Sequence, residues 1–145
     1  MNDRRVWVRL GLLLALTVTP ASAGAQEREI VLLHTNDFHS AIDPVVAFWM
    51  DGEPLIGGAA HIKTMVDSIR EREAENGTPV YLFDAGDMFT GLLSRLTYGE
   101  ILMEMMITMG YDALGVGNHE FDYGWENFRE QMYRAPFPVL SANTF

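Results

Sequence analysis

Short apolar runs alternate along this chain with longer segments of helical period. From Glu29 to Thr35 an apolar stretch ends in polar residues and predicts a buried strand. Asn36 to Gly58 shows no period and is broken by Pro44, Gly52, Pro54 and the Gly57-Gly58 pair, so it reads as irregular. From Ala59 to Glu75, Ile62, Met65, Val66 and Ile69 recur at helical spacing. Glu71, Glu73 and Glu75 give that helix a solvated end, and Asn76-Gly77 stops it. Val80 to Phe83 predicts a second strand. Gly99 to Met109 predicts a helix with Ile101, Leu102, Met105 and Met106 as its apolar stripe, ended by Gly110. Ala113 to Val116 predicts a third strand, Trp125 to Tyr133 a helix, and Pro138 to Leu140 the opening of a fourth strand.

Strands alternating with helices imply an α/β fold whose parallel sheet is built by right-handed crossovers. In such sheets ligands gather at the carboxyl ends of the strands. Three polar clusters directly follow a predicted strand: Asp37-Phe38-His39, Asp84-Ala85-Gly86-Asp87, and Gly117-Asn118-His119-Glu120 with Phe121-Asp122. Three separate loops are therefore expected to meet in one site.

Composition narrows the chemistry. With 145 residues and 48% hydrophobic positions, the chain can build the core of one domain or part of one. A formal net charge of −10 without any Lys/Arg run argues against nucleic-acid and anionic-membrane partners. A small phosphorylated substrate is still compatible, because a bound divalent ion reverses the local field. Cysteine is absent, so disulfides, thiolate ligands and thiol nucleophiles are excluded and any metal must be held by His, Asp, Glu, Asn or water.

Residues 1–25 read as an export signal. Arg4, Arg5 and Arg9 form a basic start, Leu10 to Val18 an apolar middle, and Ala21-Ser22-Ala23 or Ala23-Gly24-Ala25 a small-residue cleavage site. The apolar run is shorter than the roughly twenty residues that span a bilayer. The expectation is a periplasmic or secreted protein without stable membrane association, whose remaining portion is 26–145.

Each cluster suggests a role. In extended chain, residues i and i+2 point to one side, so Asp37 and His39 can share a divalent ion. Gly86 permits a sharp turn that presents Asp87, whose two oxygens can bridge two ions. Asp84, in the same loop, reads as a structural or supporting carboxylate. Asn118 is a ligand through its side-chain oxygen. Its neighbour His119 would point toward substrate, and Asp122 could hydrogen-bond the imidazole and favour its protonated form. His34 reads as structural, His61 as solvated or capping, and Met103, Met105, Met106 and Met109 as core filling. Trp49 and the acidic residues of the 43–53 loop could shape the approach to the site.

D-x-H, then G-D, then G-N-H-E, each after a strand, resembles the pattern of the calcineurin-like metallophosphoesterases. Leu32-Leu33-His34-Thr35-Asn36-Asp37-Phe38-His39-Ser40 is similar to the opening of the 5'-nucleotidase family. Gly57-Gly58-Ala59-Ala60, Asp84-Ala85-Gly86-Asp87, Gly110-Tyr111-Asp112-Ala113, Gly117-Asn118-His119-Glu120-Phe121-Asp122 and Phe137-Pro138-Val139-Leu140-Ser141-Ala142-Asn143 continue the likeness. The resemblance implies the first half of a four-layer α/β/β/α sandwich and a site with two divalent metal ions (Zn, Mn, Fe or Co). Asp37 and His39 would bind the first ion, Asp87 both, and Asn118 the second. Asn118 and His119 would touch substrate, and His119, partnered by Asp122, would act in catalysis.

The implied reaction is hydrolysis of a nucleoside 5'-monophosphate in nucleotide catabolism. UDP-sugar hydrolysis, 2',3'-cyclic nucleotide hydrolysis or action on a sulfur-linked substrate are the alternatives within the family, and a non-catalytic metal-binding module is the alternative outside it. The family supplies further metal-binding His residues and a C-terminal substrate domain downstream, whereas no His follows His119 here. Residues 26–145 are therefore expected to be the N-terminal part of a truncated catalytic domain, weakly active or inactive alone.

Overall fold

The computed structural model describes residues 28–142, so the export-signal reading over 1–25 and the Asn143 end of the last motif lie outside the described residues. In chain order the elements are β1 (Val31–Thr35), β2 (Val45–Val46), β3 (Leu55–Ile56), α1 (Ala59–Asn76), β4 (Val80–Asp84), α2 (Leu92–Thr97), α3 (Glu100–Met109), β5 (Ala113–Gly115), α4 (Trp125–Arg134) and β6 (Val139–Leu140), with a 3-10 turn at His119–Phe121 before α4.

β1, β4, β5 and β6 form one parallel sheet in the order β1-β4-β5-β6, with Leu33 opposite Leu82, Thr35 opposite Asp84, Asp84 opposite Leu114, and Leu114 opposite Val139. The fold is α/β, as the alternating pattern requires. A strand order that always advances the same way, with right-handed crossovers, puts the connecting helices on one face. Burial agrees. Leu33, Leu82, Leu114 and Val139 join the core, whereas on the opposite face Leu32 and Leu140 are each 57% exposed. Tyr81 stacks on Phe83 across that open face, with ring centroids 6.1 Å apart.

The core is rich in methionine. Met103, Met106 and Met109 of α3 are buried with Leu102, against Val66 of α1, Phe89 and Phe128. The buried stripe of α3 is thus 102, 103, 106, 109, rotated from the expected one; Ile101 is half-exposed, and Met65 of α1 also faces solvent. An i, i+1, i+4, i+7 set covers one helix face as well as the expected set does, so the period alone could not choose between them.

Three elements go beyond the expected pattern. The 36–58 segment contains a two-residue antiparallel pair, with Val45 opposite Ile56. α2 forms between Gly91 and Tyr98 although Leu92 and Leu96 are exposed, so no apolar period announces it.

Candidate metal centre

The three loops do converge at the carboxyl edge of the sheet, and backbone hydrogen bonds fasten them to one another. The loop after β1 meets the loop after β4 through Asp37 N–H donating to the Gly86 carbonyl at 3.0 Å and His39 N–H to the Asp87 carbonyl at 3.5 Å. The first loop is also tied to α2, because Ser40 Oγ donates to the Thr90 carbonyl at 2.5 Å and accepts the Ser94 N–H at 3.1 Å.

The loops after β4 and β5 approach so closely that two glycines are required. A Cβ on Gly86, whose φ is +109°, would lie 2.6 Å from the Gly117 nitrogen, and a Cβ on Gly117 would overlap the Asp87 carboxylate. That close approach lets the His119 N–H donate to Asp87 Oδ1 at 2.9 Å. This bond holds the Asp87 carboxyl below the usual carboxylate range; desolvation opposes it, and the Asn118 N–H and the neighbouring His119 and His39 imidazoles add to the effect.

Glu120 joins the same two loops from beneath. Its carboxylate is fully buried and accepts the N–H groups of Gly117 at 2.7 Å, Met88 at 2.8 Å and Asp87 at 3.1 Å. Three backbone donors replace the water that a buried carboxylate would otherwise need. In sequence Glu120 is one more acid at the end of a motif. Only the spatial meeting of the two loops reveals it as the clamp that sets the position of Asp87.

The backbone at this edge is strained. Asp37, His39, Ser40 and Asp87 all have positive φ, between 49° and 60°, a region that side-chain-bearing residues avoid. Asp37 and His39 are thus left-handed, not extended. They still approach, with His39 Nε2 3.7 Å from Asp37 Oδ1, but through a turn and not through strand alternation.

Donor atoms of His39, Asp87 and His119 lie within 4.8 Å of one another, and the His39 and His119 rings meet edge to face at 5.1 Å. One carboxylate and two imidazoles, without sulfur, are donor types that suit a borderline divalent ion, an imidazole only when its facing nitrogen is unprotonated. Asp37 stands at the margin, exposed and hydrogen-bonded by Asn36 Nδ2 at 2.6 Å. Asn118 is exposed beside the cluster. His119 Nδ1 lies 2.9 Å from Asp122 Oδ2, and this bond raises the imidazole pKa against the opposing effect of desolvation.

Asp84 has a different role from Asp87. It is buried, accepts Thr35 Oγ1 at 2.5 Å and the Gly86 N–H at 2.8 Å, and burial raises its pKa. Tyr111 completes this group, its hydroxyl 2.7 Å from Thr35 Oγ1 and its pKa pushed by burial up to about 12. This buried network anchors the β4 loop. His61 Nδ1 sits 2.7 Å from the Gly57 carbonyl at the start of α1, and His34 is exposed on the strand face turned away from the helices.

No family model matches the chain. Individual proteins do. Protein UshA of Salmonella pullorum is 42% identical over 143 residues, which cover 95% of this chain and 25% of that protein. The 5'-nucleotidase of Homo sapiens is 39% identical over 138 residues, covering 91% of this chain and 23% of its own. Among solved structures, the 5'-nucleotidase precursor of Thermus thermophilus superposes with a TM-score of 0.71 at 34% identity, over 79% of this chain and 22% of its own. The chain spans about a quarter of the length of the curated relatives it matches.

Proposed function

We propose, from the premise that this chain is related over nearly its whole length to the 5'-nucleotidase family of calcineurin-like metallophosphoesterases, that it forms the N-terminal part of a metal-dependent phosphoric ester hydrolase acting on nucleoside 5'-monophosphates. The observation that carries this reading is the convergence of His39, Asp87 and His119 at one sheet edge, with Asp122 behind His119. Divalent ions bound there would polarise phosphoryl oxygens and supply an activated water. Asp37 and His39 would hold one ion, Asp87 would bridge, and Asn118 would bind the other; the ions are drawn from Zn, Mn, Fe or Co.

His119, kept protonated by Asp122, would donate its proton to the leaving oxygen, and Asn118 would orient a phosphoryl oxygen. The cluster offers too few donors to complete two ions, each of which takes four or more ligands. The remaining ligands would come from sequence beyond these residues, and so would the layer that covers the open face of the sheet, where Leu32, Tyr81 and Leu140 are exposed. The basic, apolar, small-residue order of residues 1–25 supports export, and hence a periplasmic or secreted site of action. Among the described residues, no helix is long and apolar enough to cross a membrane.

The test is Mn²⁺- or Zn²⁺-dependent phosphate release from AMP by the full-length protein, with Asp87→Asn and His119→Ala beside it. Both substitutions should lower kcat at least a hundredfold, on the order of the loss of a general acid or metal bridge. Unchanged kcat in both variants would show that the assigned roles are wrong and would leave a metal-binding module without catalysis.

A further inference from the structure

Of the four residues at the sheet edge with left-handed backbone, Asp37, His39 and Asp87 are candidate metal ligands, so their strain serves the site directly. Ser40, at a φ of 60°, is not among those ligands, and glycine would take this conformation without steric strain. The reason for a side chain at this position lies in what its hydroxyl touches. Ser40 Oγ donates to the Thr90 carbonyl at 2.5 Å and accepts the Ser94 N–H at 3.1 Å.

Both bonds fall at the start of α2. Gly91 holds the N-cap position and offers no side-chain bond, and Ser94 is the third helical residue, whose N–H has no acceptor within the helix. A residue able to cap its own helix could not stand at 91. Its Cβ would lie 2.6 Å from the His39 carbonyl and 2.8 Å from the Ser40 Cβ. Ser40 therefore supplies from a distant part of the chain the acceptor that an N-cap serine usually supplies locally. α2 depends on such a bond. Leu92 is 70% exposed and Leu96 67%, and Ser94 is the buried residue of the helix, so little apolar packing holds α2 in place.

His39 directly precedes Ser40, and its own backbone bond to the neighbouring loop is long, 3.5 Å from the N–H to the Asp87 carbonyl. The firm attachment on its other side is the Ser40 hydroxyl. We infer that Ser40 is a positioning residue for the metal centre: by capping α2 from across the loop, it fixes the backbone that carries His39. This rests on the reading of His39 as a metal ligand and deepens it. An imidazole held in place before an ion arrives gives up less freedom on binding it, and the groups that hold such a ligand contribute to metal affinity without touching the metal.

The test compares the full-length protein with its Ser40→Gly and Ser40→Ala variants, reading Mn²⁺ affinity by calorimetry and the Ser94 amide by hydrogen exchange. Both variants lose the hydroxyl. Ser40→Gly also relieves the left-handed backbone and so keeps the protein folded, whereas Ser40→Ala adds no glycine flexibility to the loop. The Mn²⁺ Kd should rise about tenfold in both, the lower end of the loss when a group behind a metal ligand is removed, and the Ser94 amide should exchange about fivefold faster. A Kd that rises in one variant only, or in neither, overturns the inference; a rise confined to Ser40→Gly would trace to chain flexibility and not to the lost hydroxyl. If the unaltered protein binds no Mn²⁺, the reading of His39 as a ligand fails. The Ser94 amide then still decides on Ser40: faster exchange in both variants upholds it as the cap that fixes the loop to α2, and unchanged exchange overturns it.

Discussion

The body of this molecule and its carboxyl edge are built on opposite principles. In the body, Leu82, Leu102, Met103, Met106 and Leu114 are buried at ordinary helix and strand geometry. At the edge, four side-chain-bearing residues take left-handed backbone, two glycines stand where a Cβ would collide, and a buried carboxylate replaces apolar packing. The body gains stability from area removed from water. The edge gives some of it up to hold an imidazole–carboxylate cluster in place. Stability and chemistry should therefore respond differently to substitution, and in places with opposite sign.

The largest effect belongs to the body. Leu82→Ala, in the central strand under the helices, should lower unfolding free energy by about 2–5 kcal/mol in chemical denaturation, with metal affinity unchanged while the protein is folded. A loss of metal affinity without a loss of stability would break the distinction.

Next comes the clamp between the two regions. Glu120→Ala leaves the Gly117, Asp87 and Met88 N–H groups without their acceptor, which should cost about 2–4 kcal/mol and weaken metal binding as well. If stability falls while affinity does not, Glu120 supports only the fold and does not position Asp87.

At the edge itself the sign should reverse. Asp37→Gly relieves a φ of 50° and should stabilise the protein by about 1 kcal/mol while reducing metal affinity. Destabilisation would mean that the positive φ stores no strain.

The smallest effect is a pH dependence. Burial raises the folded pKa of Asp84 above its ordinary 3.8, so between those two values the native state binds more protons than the unfolded chain. Stability contributed by this group is thus fully present below pH 3.8 and is lost as pH rises through the raised folded value. Asp84→Asn should flatten that slope, because an amide can still accept from Gly86 and donate to Thr35 without ionising. An identical pH profile in the variant would remove Asp84 as its source.

The same contrast explains what could be read from the sequence. The body was legible because strands and helices carry periods, although the stripe of α3 was rotated by tertiary packing and α2, with its leucines exposed, had no period to show. The convergence of the edge was legible because three polar clusters each followed a strand. Its internal mechanics were not. The left-handed turn at Asp37 and His39 contradicts the extended chain assumed for that pair, and no local pattern marks it. The role of Glu120 depends on two loops, distant in sequence, meeting in space, which spacing alone does not encode.

The central claim is that His39 and Asp87 hold part of a divalent metal centre, with His119 beside it as the proton donor. Elemental analysis of the full-length protein, purified with and without a chelator and reloaded with Mn²⁺ or Zn²⁺, tests it most directly. Two ions per chain are expected in the unaltered protein, with at least one lost in each of His39→Ala and Asp87→Ala while both variants remain folded. Unaltered protein that reloads less than one ion per chain, or variants that reload as many as the unaltered protein, would contradict the account.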